Sequence, residues 1–356
     1  VSASCTIEPT ASHNANTPTT RLDARAWEVS ATQEIIDMSM RIAVQMEMEA
    51  RILIDSKTAH SVETQNPRYI HSSDGVALAV WELGPEECDY VAVWVHANGF
   101  SSRMWLPVLR ALECRPRTRH ILYDLRGQGL SSKPDPNIDN YDWHRQACDL
   151  VEIIQALTKG DSRPVEAVGH SMGAAIIAIA ASEVPELFAS LSLFEPIIAI
   201  PERVAGWDPS ANPLVPQARR RRFSFASVQE CRERLGSKPP YSFFDPDVFE
   251  LYVKTALVPD PSSRPAGVKL ACPPEIEAVN YIAGGQHDGY ARLVGLEHRI
   301  LLMQGSRSPK GGFLDTSALA SMKKNAIYRE IEDATHFAPF ERPKAFADAV
   351  CDFWEG

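Results

Sequence analysis

The 356-residue chain contains no Asn-x-Ser/Thr sequon, no Cys-x-x-Cys pair, no His-Glu-x-x-His and no Gly-x-x-x-x-Gly-Lys-Ser/Thr string. The zinc, redox and nucleotide readings that those spacings carry are therefore lacking, and no cofactor or metal is expected. Long apolar runs are missing as well. Stretches such as residues 174–181 fall far short of the ~18 residues that a membrane-spanning helix needs. The first 20 residues lack the apolar segment of a signal peptide, although a chain opening on Val1 leaves a removed leader open. Cysteine is sparse: the seven, at 5, 88, 114, 148, 231, 272 and 351, are odd in number and scattered. That spread predicts reduced thiols in a cytoplasmic, reducing compartment. Basic charge is in deficit. With 36 Lys+Arg against 46 Asp+Glu the formal net charge is −10, which disfavours nucleic acid and anionic membrane surfaces as partners.

What is present is an ordinary globular composition, 44% hydrophobic and 23% charged. A chain of this length holds about two structural units and buries a large core without metal or disulfide staples. Proline is the exception, with 26 residues, roughly 7% against a usual ~5%. Thirteen of the 26 lie between Pro196 and Pro274, so that stretch is built differently from its flanks. At the N-terminus, a capping box at Ser30-x-x-Gln33 precedes Ile35, Met38, Ile42 and Met46 at helical spacing. These predict one helix in an N-terminal extension of residues 1–65, suited to packing on the main body, to a wall of the substrate entrance or to a homodimer contact, which the inserted segment could also supply.

From residue 67 a strand-and-helix rhythm begins. Residues 67–72 and 76–83 read as a hairpin about Asp74-Gly75, and 90–96, 120–125, 165–169, 189–194, 299–304 and 326–331 read as further strands. Helices are predicted at 143–157, 174–181 and 344–354. The alternation predicts the α/β class: a mostly parallel sheet with helices on both faces and chemistry at the C-terminal ends of its strands.

Gly169-His170-Ser171-Met172-Gly173 is a G-x-S-x-G string directly between an apolar strand and a small-residue helix. Such a turn is tight, so its flanking positions need glycine, and it presents the Ser171 hydroxyl at a helix N-terminus that favours developing negative charge. His96-Ala97-Asn98-Gly99-Phe100 follows the third strand, and Asp124-Leu125-Arg126-Gly127-Gln128-Gly129-Leu130-Ser131-Ser132 follows the fourth. With these motifs the chain resembles the α/β-hydrolase superfamily over residues 67–196 and 297–354. The resemblance implies a core of residues 66–196 and 297–356, with residues 197–296 inserted between strands six and seven as a helical cap.

The same resemblance implies Ser171 as nucleophile and His336, in the loop after the last strand, as general base. Thr335 stands where family members often carry glycine. The oxyanion would be held by the backbone N–H groups of Met172 and of Asn98, or less readily Ala97. The family's usual acid position, after the seventh strand, reads Gly305-Ser306-Arg307-Ser308 and holds no carboxylate. Glu195, just past the sixth strand, is the chosen orienting acid, as in certain dehalogenases, a mycotoxin lactonase and a fungal acyl-CoA hydrolase of this superfamily. Asp315 and Asp333 are its competitors. A serine nucleophile argues against dehalogenase and epoxide hydrolase chemistry. His96 reads as a strand-end residue, His170 as packing, and His287 as a surface or cap residue.

The inserted segment is rich in rings, among them Trp207, Tyr241, Phe249 and Tyr252. Phe100, Trp105, Phe243 and Phe244 are the candidate substrate contacts. The run Arg219-Arg220-Arg221-Arg222 is expected to open a helical stretch as a solvated face, or to attract an acidic substrate such as a CoA ester. Proline fixes φ and removes donors, so short helices and rigid turns with few strands are expected here. The leading reading is a hydrolase for a small to medium apolar carboxylic ester or lactone. The alternatives are an acyl-CoA thioesterase, a non-hydrolytic lyase or cyclase, and a ligand receptor.

Overall fold

β1 (Arg68–His71) and β2 (Ala77–Leu83) form the expected hairpin, with Arg68 opposite Val80. They open a computed structural model that describes residues 66–356 apart from 162, 207, 264 and 312–314. The helix expected after Ser30, and Trp207, lie outside the described residues. In β3 (Tyr90–Val95), Val91, Val93 and Val95 join one apolar layer while Ala92 and Trp94 join another, and all five are buried. A strand covered on both faces reads as a continuous apolar run, and that run is why it sits mid-sheet. After β3 come α1 (Leu106–Ala111), β4 (Thr118–Tyr123), α2 (Trp143–Leu157), β5 (Val165–His170), α3 (Met172–Glu183) and β6 (Phe188–Phe194).

Residues between β6 and the next core strand form the insertion: α4 (Leu214–Arg219), β7 (Ser224–Phe225), α5 (Val228–Gly236), α6 (Pro246–Thr255), β8 (Leu257–Asp260), β9 (Gly267–Leu270), α7 (Pro274–Ala283) and α8 (Gly289–Gly295). Beside its helices the insertion holds few strands, and β7, β9 and β8 form a small antiparallel sheet. Proline permits this by position. Pro259 lies on the edge strand β8, where a missing N–H breaks no central ladder, while Pro246 and Pro274 begin helices. The arginine run needs a correction: it closes α4 rather than opening a helix.

The core resumes with β10 (Arg299–Gly305), α9 (Thr316–Met322), β11 (Ala326–Ile331) and α10 (Pro343–Glu355). The main sheet has the order β1-β2-β4-β3-β5-β6-β10-β11, antiparallel only where β2 meets β1 and β4. Helices α2 and α3 cover the Val93 face, and α1 and α10 cover the Trp94 face. Helix α3 is buried from Met172 through Ala181, and its five alanines let it lie close to the sheet.

One cysteine pair departs from the expectation of reduced thiols. Cys114, after α1, and Cys351, in α10, form a disulfide with Cα atoms 5.5 Å apart across 237 residues of sequence. The two helices share the Trp94 face, and that packing brings together sulfurs whose spacing in sequence gives no hint of a pair. Among the described residues Cys88, Cys148, Cys231 and Cys272 are free. Among those residues, too, no helix is long and apolar enough to cross a membrane.

Candidate active site

Ser171 occupies the turn from β5 into α3 at φ 58° and ψ −116°, a conformation that a residue with a side chain keeps only when its surroundings enforce it. Here they do. The Ser171 N–H donates to the Phe194 carbonyl at 2.9 Å, and its own carbonyl accepts from Ala175 at 3.2 Å and Ile197 at 3.3 Å. A Cβ on Gly169 would meet the Ala174 backbone at 2.7 Å, and one on Gly173 the His96 carbonyl oxygen at 2.7 Å. Both flanking positions of the motif therefore need glycine. Met172 follows at the first position of α3, where a backbone N–H has no acceptor within the helix.

His336 lies in the loop after β11. Its Nε2 is 3.0 Å from the Ser171 Oγ and its Nδ1 is 2.6 Å from the Glu195 Oε2. Glu195 is fully buried one residue past β6, at φ 41°. Its N–H donates to the Met303 carbonyl at 2.9 Å, and its Oε1 accepts from the Gly305 N–H at 2.8 Å. With the carboxylate accepting, the imidazole carries its proton on Nδ1, which leaves Nε2 to accept from the serine hydroxyl. The two competing acids hold other partners. Asp315 caps α9 through the Ala318 N–H at 3.0 Å and pairs with Arg203, while Asp333 is exposed and paired with Arg307 and Arg342.

The histidine loop has an anchor that the sequence reading missed. The N–H and hydroxyl of Thr335 both donate to Glu341, a buried carboxylate in the short helix Ala338–Glu341. A glycine at this position would keep only the N–H bond of the two. His170, next to Ser171, is buried and donates from Nε2 to the His336 carbonyl at 2.7 Å. Burial, reinforced by the neighbouring His336, pushes its pKa well below the ordinary 6.5, so the ring stays neutral. His96 behaves alike: its Nδ1 donates to the Ala97 carbonyl at 2.8 Å, its Nε2 accepts from Leu125 at 3.0 Å, and burial lowers its pKa. His287 stacks on Trp143, and its Nδ1 accepts from the Gly289 N–H at 3.0 Å where α8 begins.

Phe100 and Phe244 join Phe337 and Phe340 in one cluster, and the Phe337 ring lies 5.4 Å from that of His336. Phe337 and Phe340 were missed although they follow His336 almost at once; the signal was the string Phe337-Ala338-Pro339-Phe340. Two candidate contacts lie elsewhere. Trp105 is 1% exposed and packs on Trp94 and Phe346, because the turn after β3 directs it into the core. Phe243 is 48% exposed and falls outside the aromatic cluster that its neighbour Phe244 enters. Arginines 219, 221 and 222 pair with Glu275, Glu277 and Glu230, so the run offers little uncompensated charge.

Known proteins agree with this architecture. Abhydrolase domain-containing protein ACTT2-1 of Alternaria alternata is 26% identical over 223 residues, covering 54% of this chain and 83% of that protein. The solved E-2-(acetamidomethylene)succinate hydrolase superposes with a TM-score of 0.67 at 18% identity, covering 82% of this chain and 99% of its own. The thioesterase domain from the curacin biosynthetic pathway gives 0.65 at 18% identity, covering 80% and 98%. The alpha/beta hydrolase family profile matches residues 92–349. Strand order, the tight turn at Ser171 and the profile agree, and the chain belongs to the alpha/beta hydrolase family.

Proposed function

We propose that the protein is a serine hydrolase that cleaves a small to medium apolar carboxylic ester or lactone through an acyl-enzyme on Ser171. The observation that carries this reading is the continuous hydrogen-bonded chain Ser171–His336–Glu195, at 3.0 and 2.6 Å. Ser171 attacks the carbonyl carbon while His336 takes its proton at Nε2. Glu195 holds the ring and stabilises the imidazolium. The oxyanion is met by the backbone N–H groups of Met172 and Asn98, fixed donors at a helix start and a strand-end loop. His336 then protonates the leaving oxygen, and water attacks the acyl-enzyme by the same route. The aromatic cluster around Phe100 and Phe337 supports an apolar acyl group.

A thioesterase reading draws on the curacin neighbour, whose name states that activity. The attraction it needs from the arginine run is largely spent on Glu275, Glu277 and Glu230. The decisive experiment combines fluorophosphonate labelling with turnover of p-nitrophenyl butyrate. Labelling of Ser171, and loss of both labelling and turnover in Ser171→Ala, is the expected result. A labelled Ser171 with no ester, lactone or thioester turnover would instead favour a receptor or a lyase.

A further inference from the structure

The insertion contains a buried ion pair that the proposed chemistry does not use. Arg221 follows α4, and Glu277 lies in the first turn of α7. The Arg221 Nη1 donates to the Glu277 Oε2 at 2.6 Å, with the two side chains 18% and 10% exposed. Its Nη2 donates to the Tyr241 and Tyr252 hydroxyls, each at 2.7 Å. A guanidinium taken this far from water is tolerated only when its donors are met, and the group is accordingly rigid.

Three consecutive residues of the loop after β3 touch this group. The Asn98 Nδ2 donates to the Glu277 carbonyl at 3.0 Å. That oxygen has a second lone pair beyond the one the helix uses. Gly99, at φ +83°, leaves so little room that a Cβ there would lie 3.3 Å from the Glu277 carboxylate and 3.4 Å from the Arg221 Nη1. Phe100 meets Tyr252 edge-on, with ring centroids 5.8 Å apart. From the core side, the Gly99 N–H donates to the fully buried Gln128 at 2.7 Å. The loop is thus gripped from both sides, at a glycine that would otherwise be its freest point.

We propose that Arg221 and Glu277 are positioning residues that fix the orientation of the Asn98 peptide N–H, so that the insertion sets the geometry of the oxyanion hole. The proposal rests on the reading of Ser171 as nucleophile and Asn98 as oxyanion donor. Donors of this kind act through being fixed before the charge develops, and a shift of ~1 Å can lose ~100-fold in rate. Loss of the grip should therefore lower kcat more than it raises KM.

The test measures p-nitrophenyl butyrate kinetics and the rate of fluorophosphonate labelling. Asn98→Asp keeps the side-chain shape but places an acceptor against the Glu277 carbonyl, and Arg221→Met removes the guanidinium. Both are expected to lower kcat by roughly 10–100-fold with KM within about threefold, and to slow labelling in parallel. Arg221→Lys should recover part of the loss, while the exposed Arg219→Met should match the wild type. If Arg221→Met does not fold, Asn98→Asp and the Arg221→Met/Glu277→Gln pair carry the test. Wild-type kcat in Asn98→Asp and Arg221→Met, alongside an inactive Ser171→Ala, overturns the positioning role alone. A rise in KM at constant kcat overturns it as well, since that pattern marks a substrate contact. Turnover surviving in Ser171→Ala overturns the underlying reading instead.

Discussion

Glu195 shows how the proposed role of one residue draws on two neighbouring strands. Its backbone follows the β6–β10 pairing through the Met303 carbonyl, its carboxylate is buried, and each carboxylate oxygen meets one donor, Gly305 or His336. A neutral amide could keep the shape of this arrangement but not stabilise an imidazolium. Glu195→Gln is expected to lower kcat for p-nitrophenyl butyrate by about 10⁴, equivalent to roughly 5.5 kcal/mol. Asp315→Asn should stay within about tenfold, since Asp315 caps α9 and pairs with Arg203. The reverse ranking would move the acid to the loop after β10.

At the scale of the element, the Ser171 turn is held because β5, α3 and β3 leave no space around it. Gly169→Ala would place a methyl against the Ala174 backbone and is expected to cost about 1–3 kcal/mol, visible as a lower urea midpoint. Gly295 closes α8, and a Cβ there would meet nothing within 4 Å, so its replacement by alanine should leave the midpoint unchanged or slightly raised. The insertion behaves as a second kind of element. Its end, α8, packs on α3 within the main core, whereas Arg221, Glu277 and Asn98 join its middle to the loop after β3.

For the molecule as a whole, acid sensitivity follows from histidines buried in the neutral state. The Trp94 indole donates to the His120 Nδ1 at 3.1 Å, and burial pushes the His120 pKa down to about 4 from 6.5. The folded state therefore binds this proton later than the unfolded chain does. Stability is held above pH ~6.5 and falls as the pH drops toward 4. Between pH 7 and pH 5 this group alone should remove about 2 kcal/mol. Urea unfolding at the two pH values measures the difference, which should shrink in His120→Gln. The disulfide ties the segment after α1 to α10 across 237 residues of sequence. Its reduction by dithiothreitol should lower the urea midpoint by the equivalent of about 2–5 kcal/mol, and Cys114→Ser should make the protein indifferent to the reductant.

Local patterning determined a large part of this protein by itself. Apolar runs such as those of β3 and β5 must be covered on both sides, and a glycine-flanked serine between strand and helix admits few backbone paths, so the fold and the Ser171 turn were legible from residue order. The strand-end carboxylate at Glu195 and the late-loop His336 could be nominated from order alone, but their meeting across 141 residues belongs to the tertiary structure. The same holds for Trp105, whose ring chemistry suits either a pocket or a core, and for Cys114 and Cys351, whose approach depends on two helices sharing one sheet face. Arg221 was one of four consecutive arginines at 219–222; packing alone singled it out, because burial depends on what surrounds a side chain in space and not on its neighbours along the chain.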